Sequence, residues 1–276
     1  MIPVMPRALL LAFLLQFAPS SSQPHAVVTL VAEKSAAVPG QPMTLGVRFE
    51  IDPKWHIYWV NPGDSGGPPA IEWKLPEGFT AGAFEWPVPQ RIAIGEGLVN
   101  YGYESDVLLP VTIRVPASAK PGTQVDLSGR VKYMICSELC VPARADIHLP
   151  VTIAASAAMS TPTASVFAQT RTRIPQRPPA TLHATATFDA AKRQFTLTID
   201  LGAGQREASA AQAQFFPLTP GQIDDSSPEP ARPTPTTHGL TFSLHASDQL
   251  TTTPKTLSGI IVFSETRAYT IDAPVR

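Results

Sequence analysis

Cysteine is almost missing from this sequence: only Cys136 and Cys140 among 276 residues carry a thiol. Two thiolates make half a metal site at most, and His56 and His148, which would have to complete it, are distant in sequence. A surplus of one charge is missing too. Lys and Arg number 21 against 22 Asp and Glu, a formal net charge of −1, so no basic excess exists to neutralise phosphates and nucleic acid is a poor partner. Long hydrophobic runs are also lacking. A bilayer span needs about 20 apolar residues; beyond the N-terminus the best run is Ile260-Ile261-Val262-Phe263. Charged residues make up only 16% against 43% hydrophobic, a balance that opposes disorder and supplies a core. Proline, by contrast, is abundant. Its 30 residues are about twice the usual share, which breaks long helices and suits turns and edge strands. An all-helical bundle is excluded, and the length suits one large domain or two modest ones.

The N-terminus reads as an address. Arg7 precedes an apolar stretch from Ala8 to Ala18, interrupted by Gln16, and small residues follow through Ser22. A basic start, a short apolar segment and small residues predict a secretory signal peptide over 1–22. No cysteine follows it to take a lipid. The mature chain is therefore expected to be exported, without a membrane span, into a compartment where thiols are oxidised.

Residues 24–155 have a strand-like pattern. Ala26–Val31, Met43–Ile51, Val107–Val115 and Val125–Ile135 are separated by turn signals such as Pro39-Gly40, Pro76-Glu77-Gly78 and Pro121-Gly122. The expected fold class is all-β: an immunoglobulin-like β-sandwich, then a short helix or linker, then a second, smaller β-sandwich. The linker covers 156–180, with a helix ending before Pro175 or a flexible segment as the alternatives. Residues 181–276 form the second domain, where Phe195, Leu197 and Ile199 alternate with Thr196, Thr198 and Asp200. The proline-rich segment Asp224–Thr237 reads as a surface loop with little to pack.

Chemistry concentrates at the cysteines. Val125, Leu127, Val131, Tyr133 and Ile135 occupy odd positions, and Ile147, Leu149, Val151 and Ile153 do so after the cysteines. Two amphipathic strands joined by Ser137-Glu138-Leu139 would set Cys136 directly opposite Cys140, at a separation a disulfide can bridge. In one straight strand the two would lie about 13 Å apart, beyond any bridge. Parity puts both sulfurs on the polar face with Arg130 and Lys132, where a thiol is accessible and cations favour the thiolate. Pro142 is the place where this register would break. Three readings stay open: a redox-active pair, a static bridge, and half a metal site. A bridge closing so short a loop removes little unfolded-state entropy, which makes it an inefficient staple.

Other residues have quieter readings. Trp55, Ile57 and Trp59 share one strand parity and His56 and Tyr58 the other, which fits a sandwich core and its rim, with an aromatic recognition surface as the alternative. His56 is a candidate proton acceptor near the thiols. Asn61–Gly67 reads as a structural turn. Asp64, Glu96, Glu104 and Asp106 would tune the thiols only by approaching them.

Several segments together resemble a known family. Trp55-His56-Ile57-Tyr58-Trp59-Val60-Asn61-Pro62-Gly63-Asp64-Ser65-Gly66, then Glu85-Trp86-Pro87-Val88-Pro89, Tyr101-Gly102-Tyr103 and Cys136-Ser137-Glu138-Leu139-Cys140-Val141-Pro142, are similar to the periplasmic N-terminal domain of DsbD/ScsB-type thiol:disulfide interchange proteins. Phe215-Phe216-Pro217 and Tyr269–Pro274 resemble the further β-domain of the ScsB-like branch. The resemblance implies a periplasmic protein-disulfide reductase component that needs no cofactor. It would take electrons from a membrane DsbD-like thiol transporter and pass them to periplasmic thioredoxin-fold or cytochrome-maturation proteins, or serve copper tolerance. It implies Cys140 as the partner-attacking thiol, Cys136 as the resolving one, and Tyr101 and Tyr103 in a cap loop shielding the pair. Arg130, Lys132 and His56 are the expected tuning residues. The chain departs from the family in its shorter cysteine spacing and in lacking the transmembrane relay and the thioredoxin domain. The competing expectation is a non-enzymatic exported adaptor whose disulfide is only structural.

Overall fold

The structure, a computed structural model, describes residues 25–95, 97–156, 159–202, 212–226 and 233–276. The expected signal peptide lies outside the described residues. Turn-forming residues punctuate the first half into β1 (Ala26–Ala32), β2 (Ala36–Ala37), β3 (Pro42–Ile51), β4 (His56–Gly63), β5 (Ala70–Lys74) and β6 (Thr80–Phe84). These are followed by β7 (Gln90–Ile94), β8 (Leu98–Tyr103), β9 (Val107–Arg114), β10 (Gln124–Cys136) and β11 (Cys140–Ile153). Two sheets result, one ordered β1-β3-β9-β6 and the other β2-β11-β10-β4-β8-β7, with β5 also pairing β10.

Alternation decides what lies between them. Odd-numbered Met43, Leu45, Val47 and Phe49 of β3, Leu109, Val111 and Ile113 of β9, and Leu127, Val131, Tyr133 and Ile135 of β10 all join one buried core. Phe49 meets Tyr133 edge-on, with ring centroids 5.4 Å apart. This is the expected β-sandwich.

A short helix, α1 (Ala164–Thr172), follows and buries Phe167 and Thr170. Arg171, in its last turn, pairs with Glu33 at 3.0 Å. Pro175 lies three residues beyond the last helical residue, as suits a residue that cannot continue a helix.

The second domain comprises β12 (His183–Asp189), β13 (Gln194–Asp200), β14 (Gln214–Pro217), β15 (Thr234–Pro235), β16 (Gly239–His245), β17 (Thr256–Ser264) and β18 (Arg267–Pro274). Sheet β12-β13-β16-β15 faces sheet β14-β17-β18. Phe195, Leu197 and Ile199 pack with Leu257, Ile261 and Phe263 in a second core.

The apolar run Ile260–Phe263 now has a physical explanation. Ile261 and Phe263 point into the second core, whereas Ile260 and Val262, with Phe216 and Ala268, join the core of the first domain. A strand buried on both faces loses its alternation. The sheet β14-β17-β18 is a wall common to both domains.

One expectation is corrected here. Asp224–Thr237 is not merely a surface loop: Asp225 is buried and accepts a hydrogen bond from the Tyr101 hydroxyl at 2.9 Å, and Thr234–Pro235 pairs with β16. A carboxylate with a buried phenol as donor packs where composition alone gives no apolar handle.

Candidate functional site

The β10–β11 ladder runs without a shift from Gln124 opposite Thr152 to Cys136 opposite Cys140. Ser137, Glu138 and Leu139 close the hairpin, and the two cysteines are joined, Sγ to Sγ at 2.09 Å with Cα atoms 4.1 Å apart. Pro142 keeps its place opposite Met134. It is tolerated because β11 has β10 on one side there, while β2 reaches only Thr152 and Ile153 on the other.

The sulfurs differ in environment. Cys140 is exposed, but Cys136 is only 1% exposed. This corrects the expectation of two accessible thiols. On its other side β10 pairs with β4, Cys136 opposite His56 and Ile135 opposite Ile57. Directly paired residues share a sheet face, and the next residue of that parity on β4, Tyr58, lies diagonally across. Its hydroxyl donates to Cys136 Sγ at 2.7 Å and lies 3.3 Å from Cys140 Sγ. Neither sulfur of a disulfide has a proton, so Tyr58 is the donor in both contacts.

Behind Tyr58 is a buried polar network with one consistent set of protons. The backbone N–H of Ser65 and its hydroxyl both donate to Asn100 Oδ1, at 3.2 and 3.1 Å. A backbone N–H can only donate, so the amide orientation is fixed and Asn100 Nδ2 faces the other way. That nitrogen lies 3.2 Å from His56 Nε2 and donates to the Tyr58 oxygen at 3.2 Å. His56 Nε2 is therefore the acceptor and the ring proton is on Nδ1. Burial lowers the pKa of His56, keeping it neutral, and burial raises that of Tyr58, keeping its proton in place. Asn61–Gly67 is the expected turn only in part: Asn61–Gly63 continue β4, with Gly63 opposite Asn100, and Asp64–Gly67 leave the strand. Asp64 clips this segment to β8 by accepting from the Val99 N–H at 2.7 Å, and Gly66 lies flat against the Tyr58 ring, which a Cβ would enter.

The remaining predicted residues fall elsewhere. Tyr101 and Tyr103 belong to strand β8, not to a loop over the cysteines. Tyr103 is paired with Ile57, so both tyrosines point into the sandwich, on the face opposite the sulfurs. Their hydroxyls donate to Asp225 Oδ1 and, at 2.8 Å, to the Pro87 carbonyl oxygen, and burial raises both pKa values. The segment that covers the site is Gly63–Gly67, through Tyr58. Arg130 and Lys132 share the face of the sulfurs as expected. They lie six and four residues away along β10, about 20 and 13 Å at strand rise. Arg130 pairs with Asp146 at 2.7 Å, and Lys132 with Glu72. Asp106 pairs with Arg48, and Glu96 lies outside the described residues. Of the described tuning candidates only His56 joins the site. Tyr58, Asn100 and Ser65 escape sequence reasoning as site residues, although the shared parity of Tyr58 and His56 was a usable signal.

Comparison with known proteins fits this geometry. Residues 27–152 match the family model described as Thiol:disulfide interchange protein DsbD, N-terminal. The crystal structure of the N-terminal periplasmic domain of ScsB from Proteus mirabilis shares the fold at a TM-score of 0.63 and 17% identity, covering 92% of this chain and 95% of that one. BcpA, the major pilin subunit of Bacillus cereus, is far more remote, with a TM-score of 0.28 and 10% identity over 60% of this chain and 44% of that one. No curated protein sequence matches the chain. The cysteine hairpin lies inside the matched segment, so the site is part of what resembles the DsbD N-terminal domain family.

Proposed function

We propose that this protein is a periplasmic thiol–disulfide exchange module that carries two electrons on the Cys136/Cys140 pair. The observation behind this reading is the unequal exposure of one bond: Cys140 is open to an incoming protein while Cys136 is enclosed. In reduction, a thiolate of a donor dithiol attacks Cys140 Sγ. The S–S electron pair passes to Cys136 Sγ, leaving a mixed disulfide between donor and Cys140. The donor's second thiolate then attacks the donor sulfur of that bond and releases Cys140 as thiolate. The donor departs as a disulfide, and the reduced pair takes two protons from solvent. In the onward step Cys140 thiolate attacks an acceptor disulfide, and Cys136 thiolate attacks Cys140 Sγ and frees the reduced acceptor. We assign a membrane DsbD-like thiol transporter as donor and periplasmic thioredoxin-fold or cytochrome-maturation proteins as acceptors, with a role in copper tolerance as a related outlet. Residues 24–155 are the redox domain in this reading, 156–180 a linker and 181–276 a second domain. The matched structure's description as a periplasmic domain supports the location, and the family's description as an interchange protein supports the chemistry.

The test is a glutathione redox titration of the mature chain, read by differential alkylation and mass. The expected midpoint falls among exchange proteins, roughly −120 to −270 mV. A midpoint below about −300 mV marks a static staple and overturns the reading. Cys136→Ala is expected to trap mixed disulfides on Cys140 in periplasmic extract.

A further inference from the structure

We propose that Tyr58 is a catalytic residue of the exchange: its hydroxyl, aimed by Asn100, makes Cys136 the leaving sulfur. This inference rests on the exchange reading above and names a group that acts on the bond being broken. Breaking that bond puts a full negative charge on one of two sulfurs. If Cys140 is attacked, the charge lands on Cys136, which is 1% exposed and has no water shell to receive it. An isolated buried thiolate is a poor leaving group, because burial raises the pKa of a thiol. A leaving thiol of lower pKa departs faster. Stabilisation of that charge therefore decides whether the pair exchanges at a useful rate.

Among the described residues no cation does this. Arg130 and Lys132, the basic residues of the same face on β10, are committed to Asp146 and Glu72. On β11, Arg144 has the parity of Cys140 but is exposed and stands opposite Lys132, four residues down the ladder. On β4 the titratable neighbours are Tyr58 itself and His56, which burial keeps neutral. From β8 the contributing side chain is the uncharged Asn100. In the turn, Glu138 is exposed. The remaining source of stabilisation is a dipole, the Tyr58 O–H, 2.7 Å from Cys136 Sγ and longer, at 3.3 Å, from Cys140 Sγ. The asymmetry favours charge on Cys136.

The donor is fixed before the reaction begins. Asn100 Nδ2 occupies an acceptor site on the phenol oxygen, so the hydroxyl proton turns toward the sulfurs. Ser65 locks the amide from behind and Gly66 closes over the ring. A hydrogen bond set in place in a water-poor site costs no reorganisation when charge arrives. In the reverse step the same bond holds Cys136 thiolate within reach of Cys140 Sγ. No proton needs to leave Tyr58, so the balance of the exchange is unchanged.

Tyr58→Phe keeps the ring under Gly66 and removes the hydroxyl. Reduction of the oxidised chain by dithiothreitol is expected to slow on the order of 10-fold or more, the scale of one hydrogen bond to a charged group. In a Cys140→Ser background, the ultraviolet thiolate signal of Cys136 is expected to titrate about one pH unit higher or more once Tyr58→Phe is added. Site-specific 3-fluorotyrosine at position 58, a stronger donor of nearly the same shape, should move the titration downward, and it serves where Tyr58→Phe does not fold. An active wild-type chain whose rate and thiol titration ignore all these changes overturns the role of Tyr58 alone. A wild-type pair that no dithiol reduces overturns the exchange reading, while the thiol titration still reports on Tyr58.

Discussion

At Gly66 the backbone has φ +77°, in the left-handed region, and a Cβ there would enter the ring of Tyr58. Both constraints act on one residue, so Gly66→Ala is expected to cost about 2–4 kcal/mol, part backbone strain and part overpacking. Urea denaturation of the oxidised chain measures it as a fall in midpoint at constant slope. The same position shows why half of this site was hidden in the sequence. The cysteines announce themselves by rarity and spacing, and parity put His56 and Tyr58 on one face. A tyrosine in a buried strand, however, reads the same whether its hydroxyl meets a sulfur or a carbonyl. What distinguishes them is Asn100, 42 residues on, and that pairing depends on how β4 meets β8 across an irregularity between Tyr58 and Gly63. No local pattern encodes such a register. Tyr101 and Tyr103 failed as shielding residues for a related reason. Their odd parity, matched to Ile57 across the ladder, sends them into the core.

Among elements, the β10–β11 hairpin was legible almost in full, because two amphipathic strands with the same odd inner face allow few ways to fold together. Its tip was less so. Strand alternation gives a face to each sulfur, but exposure depends on what the neighbouring strand brings, and β4 covers one cysteine only. Beside the exposed sulfur, Leu139 is 77% exposed, an apolar side chain this turn does not need for its own packing. On the exchange reading, a protein partner docking at Cys140 is expected to meet it. Leu139→Ser is accordingly expected to leave stability within about 0.5 kcal/mol. It should slow exchange with a protein disulfide several-fold while leaving reduction by dithiothreitol unchanged, since apolar anchors matter only to macromolecular docking. Parallel stopped-flow runs with the two reductant classes separate these effects.

For the molecule as a whole, the feature that composition could not foretell is how the halves are joined. Two β-rich domains were readable, and so was the apolar run in β17, but a run of four apolar residues does not say which two cores it serves. Phe216 meets Trp59 and Tyr101 edge-on at 6.3 and 5.2 Å, and Asn61 donates to the Pro217 carbonyl at 2.8 Å. At the same seam, burial first, then the charges of Asp64 and Asp224, raise the Asp225 carboxyl from its ordinary 3.8 to about 6, against the pull of the Tyr101 hydroxyl and Arg91. The folded chain thus holds this proton more tightly than the unfolded one. Its contribution to stability is complete below pH 4 and is lost as pH rises through 6, about 3 kcal/mol in all. Asp225→Asn keeps an acceptor for Tyr101 and should flatten that slope in denaturant titrations run from pH 4 to 7. One consequence follows from the long unbroken ladder ending at the cysteines. Opening the sulfur–sulfur link removes a tie at the tip of a hairpin whose rungs already hold it in register. On the exchange reading the scaffold is then expected to be the same full or empty, which is what a courier needs if each delivery is to leave it fit for the next.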